Sequence, residues 1–214
     1  YGLDAALSLV KNAVSVPPVT ARMNTLLCDE QTLIENLDGI SAEKNKFVPN
    51  AYNLSGGDVT RTTAYQKGFF HVQDVSSQLC CMALSPSEND TVLDLCAAPG
   101  GKSFTIAQLM NGKGSVYSFD LHEKRTKLIA DGASRLHLGN IKTAAGDASS
   151  YSLDMPAADK ILCDVPCSGL GVIRRKPEIK YKSPDEFLKL PEIQYGILEN
   201  AAKYLKKNGE LVYS

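Results

Sequence analysis

Thr91-Val92-Leu93-Asp94-Leu95-Cys96-Ala97-Ala98-Pro99-Gly100-Gly101-Lys102-Ser103 reads as strand, glycine turn and helix in one pass. Thr91 to Leu95 is an apolar run of strand length, and a helix is predicted from about Ser103 to Met110. The same alternation continues downstream. Ser115 to Phe119 reads as a strand ending in Asp120, followed by a helix from His122 to Leu136 with Leu128, Ile129 and Ala133 on one side. Ile141 to Ala145 leads to Gly146-Asp147, and Lys160 to Cys163 leads to Asp164. A helix over Ile193 to Leu205 precedes a turn at Asn208-Gly209 and a strand from Leu211. Repeated strand–helix units predict an α/β fold, a Rossmann-like parallel sheet covered on both faces. In such sheets ligands sit outside the carboxyl ends of the strands, so Asp120, Asp147 and Asp164 are expected to mark one site.

Residues 1–62 read differently, as a small α+β module. Ala5 to Val14 suits a short helix that Pro17-Pro18 ends. Val19 to Asn24 alternates as a strand with Val19, Ala21 and Met23 on one face. Glu30 to Leu37 has helical spacing of Leu33, Ile34 and Leu37, and a second strand is expected over Phe47 to Leu54. Ser55-Gly56-Gly57-Asp58 is turn material. A module of this size buries little core alone, so it is expected to dock on residues 63–214.

Composition narrows the function classes. The chain has 214 residues, 43% hydrophobic and 22% charged, with a net charge of −1. No global field points to nucleic acid or membrane, so any RNA footprint must be local. No apolar stretch has the roughly 20 residues of a membrane span. The six cysteines (Cys28, Cys80, Cys81, Cys96, Cys163, Cys167) form no C-x-x-C pair, so no metal site is expected and the thiols read as reduced. A cytoplasmic monomer is the expectation. Both ends read as cut: the chain starts at Tyr1 and stops at Ser214 within a strand just entered.

The glycine loop has three readings. Gly101-Lys102-Ser103 fits the end of a phosphate loop, G-x-x-x-x-G-K-[ST], but Cys96 stands where its first glycine belongs. The dinucleotide fingerprint G-x-G-x-x-G is absent. A nucleoside-cofactor loop, as in S-adenosylmethionine enzymes, needs only close backbone approach and a helix N-terminus for a carboxylate. Asp120, 20 residues beyond Gly100, favours this last reading because it suits ribose hydroxyls. Asp147 can reach the base.

Asp94 to Lys102 and Asp164-Val165-Pro166-Cys167-Ser168-Gly169 resemble the RNA cytosine-5 methyltransferases, and in particular the bacterial members that act on small-subunit ribosomal RNA. Gly68 to Leu79, Pro17 to Asn24 and Gly171 to Lys180 resemble further segments of that family. The resemblance implies a class I S-adenosylmethionine-dependent methyltransferase sheet preceded by an RRM-like module. It implies that Cys96, Ala97, Ala98, Pro99, Gly100, Gly101, Lys102, Asp120, Asp147 and Asp164 line the cofactor site, and that a cytosine of 16S ribosomal RNA is the substrate. It also implies that bacterial members carry a further helical RNA-binding domain before this region.

Carbon 5 of cytosine needs a thiolate added at carbon 6 before it can attack a methyl donor. Residue chemistry nominates Cys167, with Asp164 at the reacting base. The resemblance assigns attack instead to a Thr-Cys cysteine at the end of the next strand, past Ser214, and leaves Cys167 to help release the product. Arg174, Arg175, Lys176 and Lys180 form a local basic cluster suited to RNA phosphates. A phosphate-loop NTPase and a non-catalytic RNA-binding module with a methyltransferase fold are the competing functions.

Overall fold

The computed structural model describes residues 2–214, which form two sheets. The first is built from β1 (Val19–Met23), β2 (Ser41–Lys44), β3 (Ala51–Ser55) and β4 (Phe70–Val72). It is antiparallel, in the order β2-β3-β1-β4. Helix α1 (Leu3–Ala13) precedes it, α2 (Glu30–Glu35) lies between β1 and β2, and α3 (Thr63–Gln66) lies between β3 and β4. This is the β-α-β-β-α-β succession. Asp29 starts α2 by accepting the Thr32 amide at 2.8 Å. The first sheet runs past the boundary expected at residue 62, because Phe70 pairs with Met23 and joins its core.

Strand β2 escapes a pattern search because it is polar and largely exposed. The strand expected over Phe47 to Leu54 begins only at Ala51: Phe47 is exposed, and Asn50 turns the chain with φ 62°. Alternation on β1 also hides a second buried face. Ala21 and Met23 pack with Leu33, Leu37, Tyr52, Leu54 and Phe70. The opposite residues Thr20, Arg22 and His71 are buried too. They lie under α4 (Val75–Leu84) and α5 (Gly101–Leu109): Arg22 donates to Gln78 Oε1 at 3.4 Å, and His71 Nε2 lies 3.3 Å from Thr105 Oγ1.

The second sheet is wholly parallel. Its strands are β5 (Thr91–Asp94), β6 (Ser115–Asp120), β7 (Ile141–Ala145), β8 (Ala158–Cys163) and β9 (Leu205–Tyr213), in the order β7-β6-β5-β8-β9. Val92, Val116 and Leu162 pack with α4, α5 and α6 (Glu123–Arg135). Leu93, Ile161 and Cys163 point the other way, toward α7 (Leu190–Ala202). The order reverses between β5 and β8, the switch point at which open sheets bind ligands. Asn208-Gly209 is an irregularity inside β9 rather than a turn before it, where the register shifts between the Ala158–Leu205 and Lys160–Glu210 pairs.

Polar contacts join the two sheets. Arg135 donates to the carbonyls of Tyr65 (2.6 Å) and Phe70 (3.1 Å) and stacks 3.8 Å above the Tyr65 ring. Asn24 donates to the carbonyls of Gly68 and Leu136. Gly68 permits this approach: its φ is 76°, and a Cβ there would lie 2.1 Å from the Arg135 carbonyl oxygen.

Candidate active site

A cleft of about 580 Å³ opens at the carboxyl ends of β5, β6, β7 and β8. It gathers Cys96, Ala98, Asp120, Asp147, Asp164 and Cys167 from four separate stretches of sequence. Leu121, Val165, Ile193 and Ile197 supply apolar wall, and Arg125 and Lys176 supply positive charge. A cofactor-sized space with few convergent polar groups is the usual form of a small-molecule site. A hollow of the same volume on the first sheet, lined by Cys28, Glu30, Lys44 and Tyr52 among others, lies away from all the strand ends of the second.

Other expected cofactor residues lie beside the cleft rather than in it. Ala97 is buried, and Pro99 and Gly101 line a different hollow against Tyr65 and Arg135. Gly100 is required for the turn itself. Its φ is 111°, and a Cβ would stand 2.5 Å from Phe104 Cζ and 3.2 Å from Ile129 Cγ2. No side chain caps α5 at Gly100, so its first-turn N–H groups have no side-chain acceptor.

The loop is pinned from below. Ser103 donates to Asp94 Oδ2 at 2.6 Å, and Ser118 donates to Ser103 Oγ at 2.8 Å, so the end of β5, the start of α5 and β6 are tied together. Asp94 is fully buried and its Oδ1 has no hydrogen-bond partner. Burial pushes its carboxyl up to about 7, partly offset by the Ser103 bond and reinforced by the nearby charge of Asp164.

Lys102, the lysine a phosphate loop would offer to its ligand, is committed elsewhere. Its Nζ lies 2.6 Å from Asp164 Oδ2, with the lysine side chain only 15% exposed. Burial, the largest single influence, would lower the Lys102 pKa, but the bond and charge of Asp164 together with the charges of Cys80 and Asp94 outweigh it, and the net shift is upward. The pair spans the switch point, from α5 to the end of β8.

Asp120 is nearly buried. Its Oδ1 accepts the His122 amide at 3.2 Å, and its Oδ2 lies 3.3 Å from Arg125 Nη1. Arg125 also donates to the Ala98 carbonyl at 2.9 Å, bridging the end of β6 to the glycine loop. Asp147 accepts the Ser149 amide (2.9 Å) and hydroxyl (2.6 Å), bonds that hold its carboxyl below the usual range.

The cysteines divide by environment. Burial pushes the Cys96 and Cys163 thiols up to about 12, which suppresses the thiolate in both. Cys163 and Cys81 belong to the two cores. Cys167 is the exposed cysteine, at the cleft wall. Gln194 of α7 donates to the Pro166 carbonyl at 2.8 Å and steadies the peptide before it.

The basic cluster separates. Lys176 lines the cleft and Lys180 is exposed. Arg174 and Arg175 turn instead to the protein. Arg174 donates to the carbonyls of Ser15 and Val16, both at 3.4 Å, and Arg175 donates to the Pro18 carbonyl at 3.2 Å and pairs with Asp74. Among the described residues no group of three or more His, Cys, Asp or Glu side chains is arranged to hold a metal, and no helix is long and apolar enough to cross a membrane.

Sequence reasoning missed Arg125, Asp94 and Asp74. Arg125 sits in the first turn of α6 just after Asp120, a signal visible only once both are placed beside the glycine loop. Asp94 and Asp74 carry no spacing signature, since their partners lie 9 and 101 residues away.

This strand order, with acidic strand ends around an open cleft, defines a class I methyltransferase fold. Solved structures agree: the chain aligns with PH0851 at a TM-score of 0.92 and 30% identity, covering 98% of this chain and 49% of that one. It aligns with NSun6 from Pyrococcus horikoshii, solved with SFG, at a TM-score of 0.88 and 22% identity, covering 100% and 79%. Residues 81–214 match the family described as 16S rRNA methyltransferase RsmB/F, and the chain belongs to that family. It is 44% identical over its whole length to a probable ribosomal RNA small subunit methyltransferase B of Bacillus subtilis, covering 49% of that protein. The chain spans about half the length of the curated relatives it matches.

Proposed function

We propose that the protein methylates carbon 5 of a cytosine in 16S ribosomal RNA with S-adenosylmethionine as donor. The observation that carries this reading is the Lys102–Asp164 pair beside exposed Cys167 at the end of β8, in a chain of the RsmB/F family. The cleft residues fit the cofactor. Asp120 suits ribose hydroxyls, the carboxylates of Asp120, Asp147 and Asp164 suit a cationic ligand, and the uncapped first turn of α5 suits a carboxylate. The same three carboxylates oppose a polyphosphate, and Lys102 is not free to bind one. When bound, S-adenosylmethionine supplies an activated methyl group on a sulfonium.

Asp164 has an Oδ1 outside its bond to Lys102, placed to accept a hydrogen bond from the amino group or protonated ring nitrogen of cytosine. Lys102 holds that carboxylate in position. We assign nucleophilic attack at carbon 6 to a thiol in the segment following Ser214 in the full protein. Support comes from the course of β9, where Ser214 donates to the Cys163 carbonyl at 2.9 Å and accepts the Val165 amide at 3.2 Å, running toward the Pro166–Cys167 side. Cys167 serves release, in which the carbon 5 proton is removed and the carbon 6–sulfur bond breaks. Lys176 and Lys180 are assigned to RNA phosphates. The inner face of the first sheet is not, since Thr20, Arg22 and His71 are covered.

The test is methylation of protein-free 16S RNA by the full-length protein, read by bisulfite sequencing. One protected cytosine, dependent on S-adenosylmethionine, is expected. Methyl transfer to another base, or none to RNA in any assembly state, would overturn the reading.

A further inference from the structure

The loop from Ser168 to Lys176 leaves the cleft at Cys167 and returns to it at Lys176, yet has little core of its own. Leu170 is more than half exposed, and Ile179, packed under Gly169, is the buried apolar anchor of this region. What holds its far end is the pair of arginines. Arg175 reaches Asp74 and the Pro18 carbonyl, and Arg174 reaches the carbonyls of Ser15 and Val16. Asp74 occupies the N-cap position of α4 but makes no side-chain bond to that helix. An N-cap aspartate ordinarily accepts an amide of its own first turn. Here the carboxylate is diverted to Arg175. The cap has been given up for a tether across 101 residues.

We propose that Arg174 and Arg175, with Asp74, are positioning residues that latch the Cys167–Lys176 loop to the segment leading into β1. The latch makes the position of Cys167 and Lys176 depend on docking of the first sheet. Their role in catalysis rests on the methyltransferase reading above, while the latch itself does not. With Arg175 33% and Asp74 39% exposed at the side chain, the pair is partly screened, so its effect is modest.

Hydrogen exchange by mass spectrometry on the 214-residue chain reads the latch without any activity. The Val172, Arg175 and Lys176 amides bond within the loop and report its opening. Arg175→Met and Asp74→Ala should each speed their exchange by roughly two- to fivefold. The swap Asp74→Arg with Arg175→Asp should return it toward wild type, as a merely structural substitution would not. Unchanged exchange in both single variants, or a swap no better than the singles, would overturn the proposal. In the full-length protein the same singles should lower kcat for RNA methylation with S-adenosylhomocysteine affinity retained. Absence of methylation by the wild type would count against the functional reading alone, since the exchange result stands apart from it.

Discussion

Lys102 Nζ and Asp164 Oδ2 stand 2.6 Å apart, joining the first turn of α5 to the end of β8 across the point where the strand order reverses. The bond turns a loop that looks phosphate-binding in sequence into part of an acidic site, because it engages the charge of the lysine and orients the carboxylate at once.

If the two act as a unit, Asp164→Asn and Lys102→Met should each slow single-turnover methylation by the full-length protein, by about 10²- to 10⁴-fold. The double variant should be no slower than the worse single, since either change already dissolves the pair. Multiplying losses would show independent roles.

Asp94 predicts a pH dependence of stability. Burial lifts its carboxyl from 3.8 to about 7 in the folded chain. Between those values the folded protein keeps a proton that the unfolded chain has released, so stability falls as pH rises through this window and stays lowered above it. Asp94→Asn removes that slope. Urea unfolding at roughly pH 5 and pH 8 should show the variant gaining a few kcal/mol relative to wild type at the higher pH. Parallel profiles would contradict the burial argument.

Gly100→Ala tests the turn. The left-handed φ and the 2.5 Å approach of a Cβ to Phe104 Cζ should cost about 1–3 kcal/mol, measured as a lowered denaturation midpoint. An unchanged midpoint would mean that the loop has another conformation available.

Cys167→Ala in the full-length protein should still begin reaction but trap a covalent RNA–protein adduct, visible as a slow band on a denaturing gel. Loss of both adduct and product would make Cys167 the nucleophile.

The parallel sheet was legible because β5 to β8 are short runs closed by glycine or aspartate, with helices following β5 and β6. The convergence of Asp120, Asp147, Asp164 and Cys167 on one cleft was legible for the same reason: strand ends converge whatever the intervening sequence. The edge strand β2 was not, being polar but for Ala42, nor was the membership of Phe70–Val72 in the first sheet, which depends on pairing with β1 across nearly fifty residues of chain. The arginines were legible only as charge. Whether a guanidinium faces solvent phosphate or a carbonyl of the same chain is decided by tertiary docking, and here Arg174 and Arg175 meet Ser15 to Pro18 and Asp74.

The central claim, that the cleft at the ends of β5 to β8 holds S-adenosylmethionine, is tested most directly by calorimetry on this chain with S-adenosylhomocysteine and, separately, ATP. Saturable binding of S-adenosylhomocysteine, weakened about 10- to 100-fold in Asp120→Ala and absent for ATP, is the predicted result. Binding of ATP without S-adenosylhomocysteine, or an Asp120→Ala affinity equal to wild type, would contradict it.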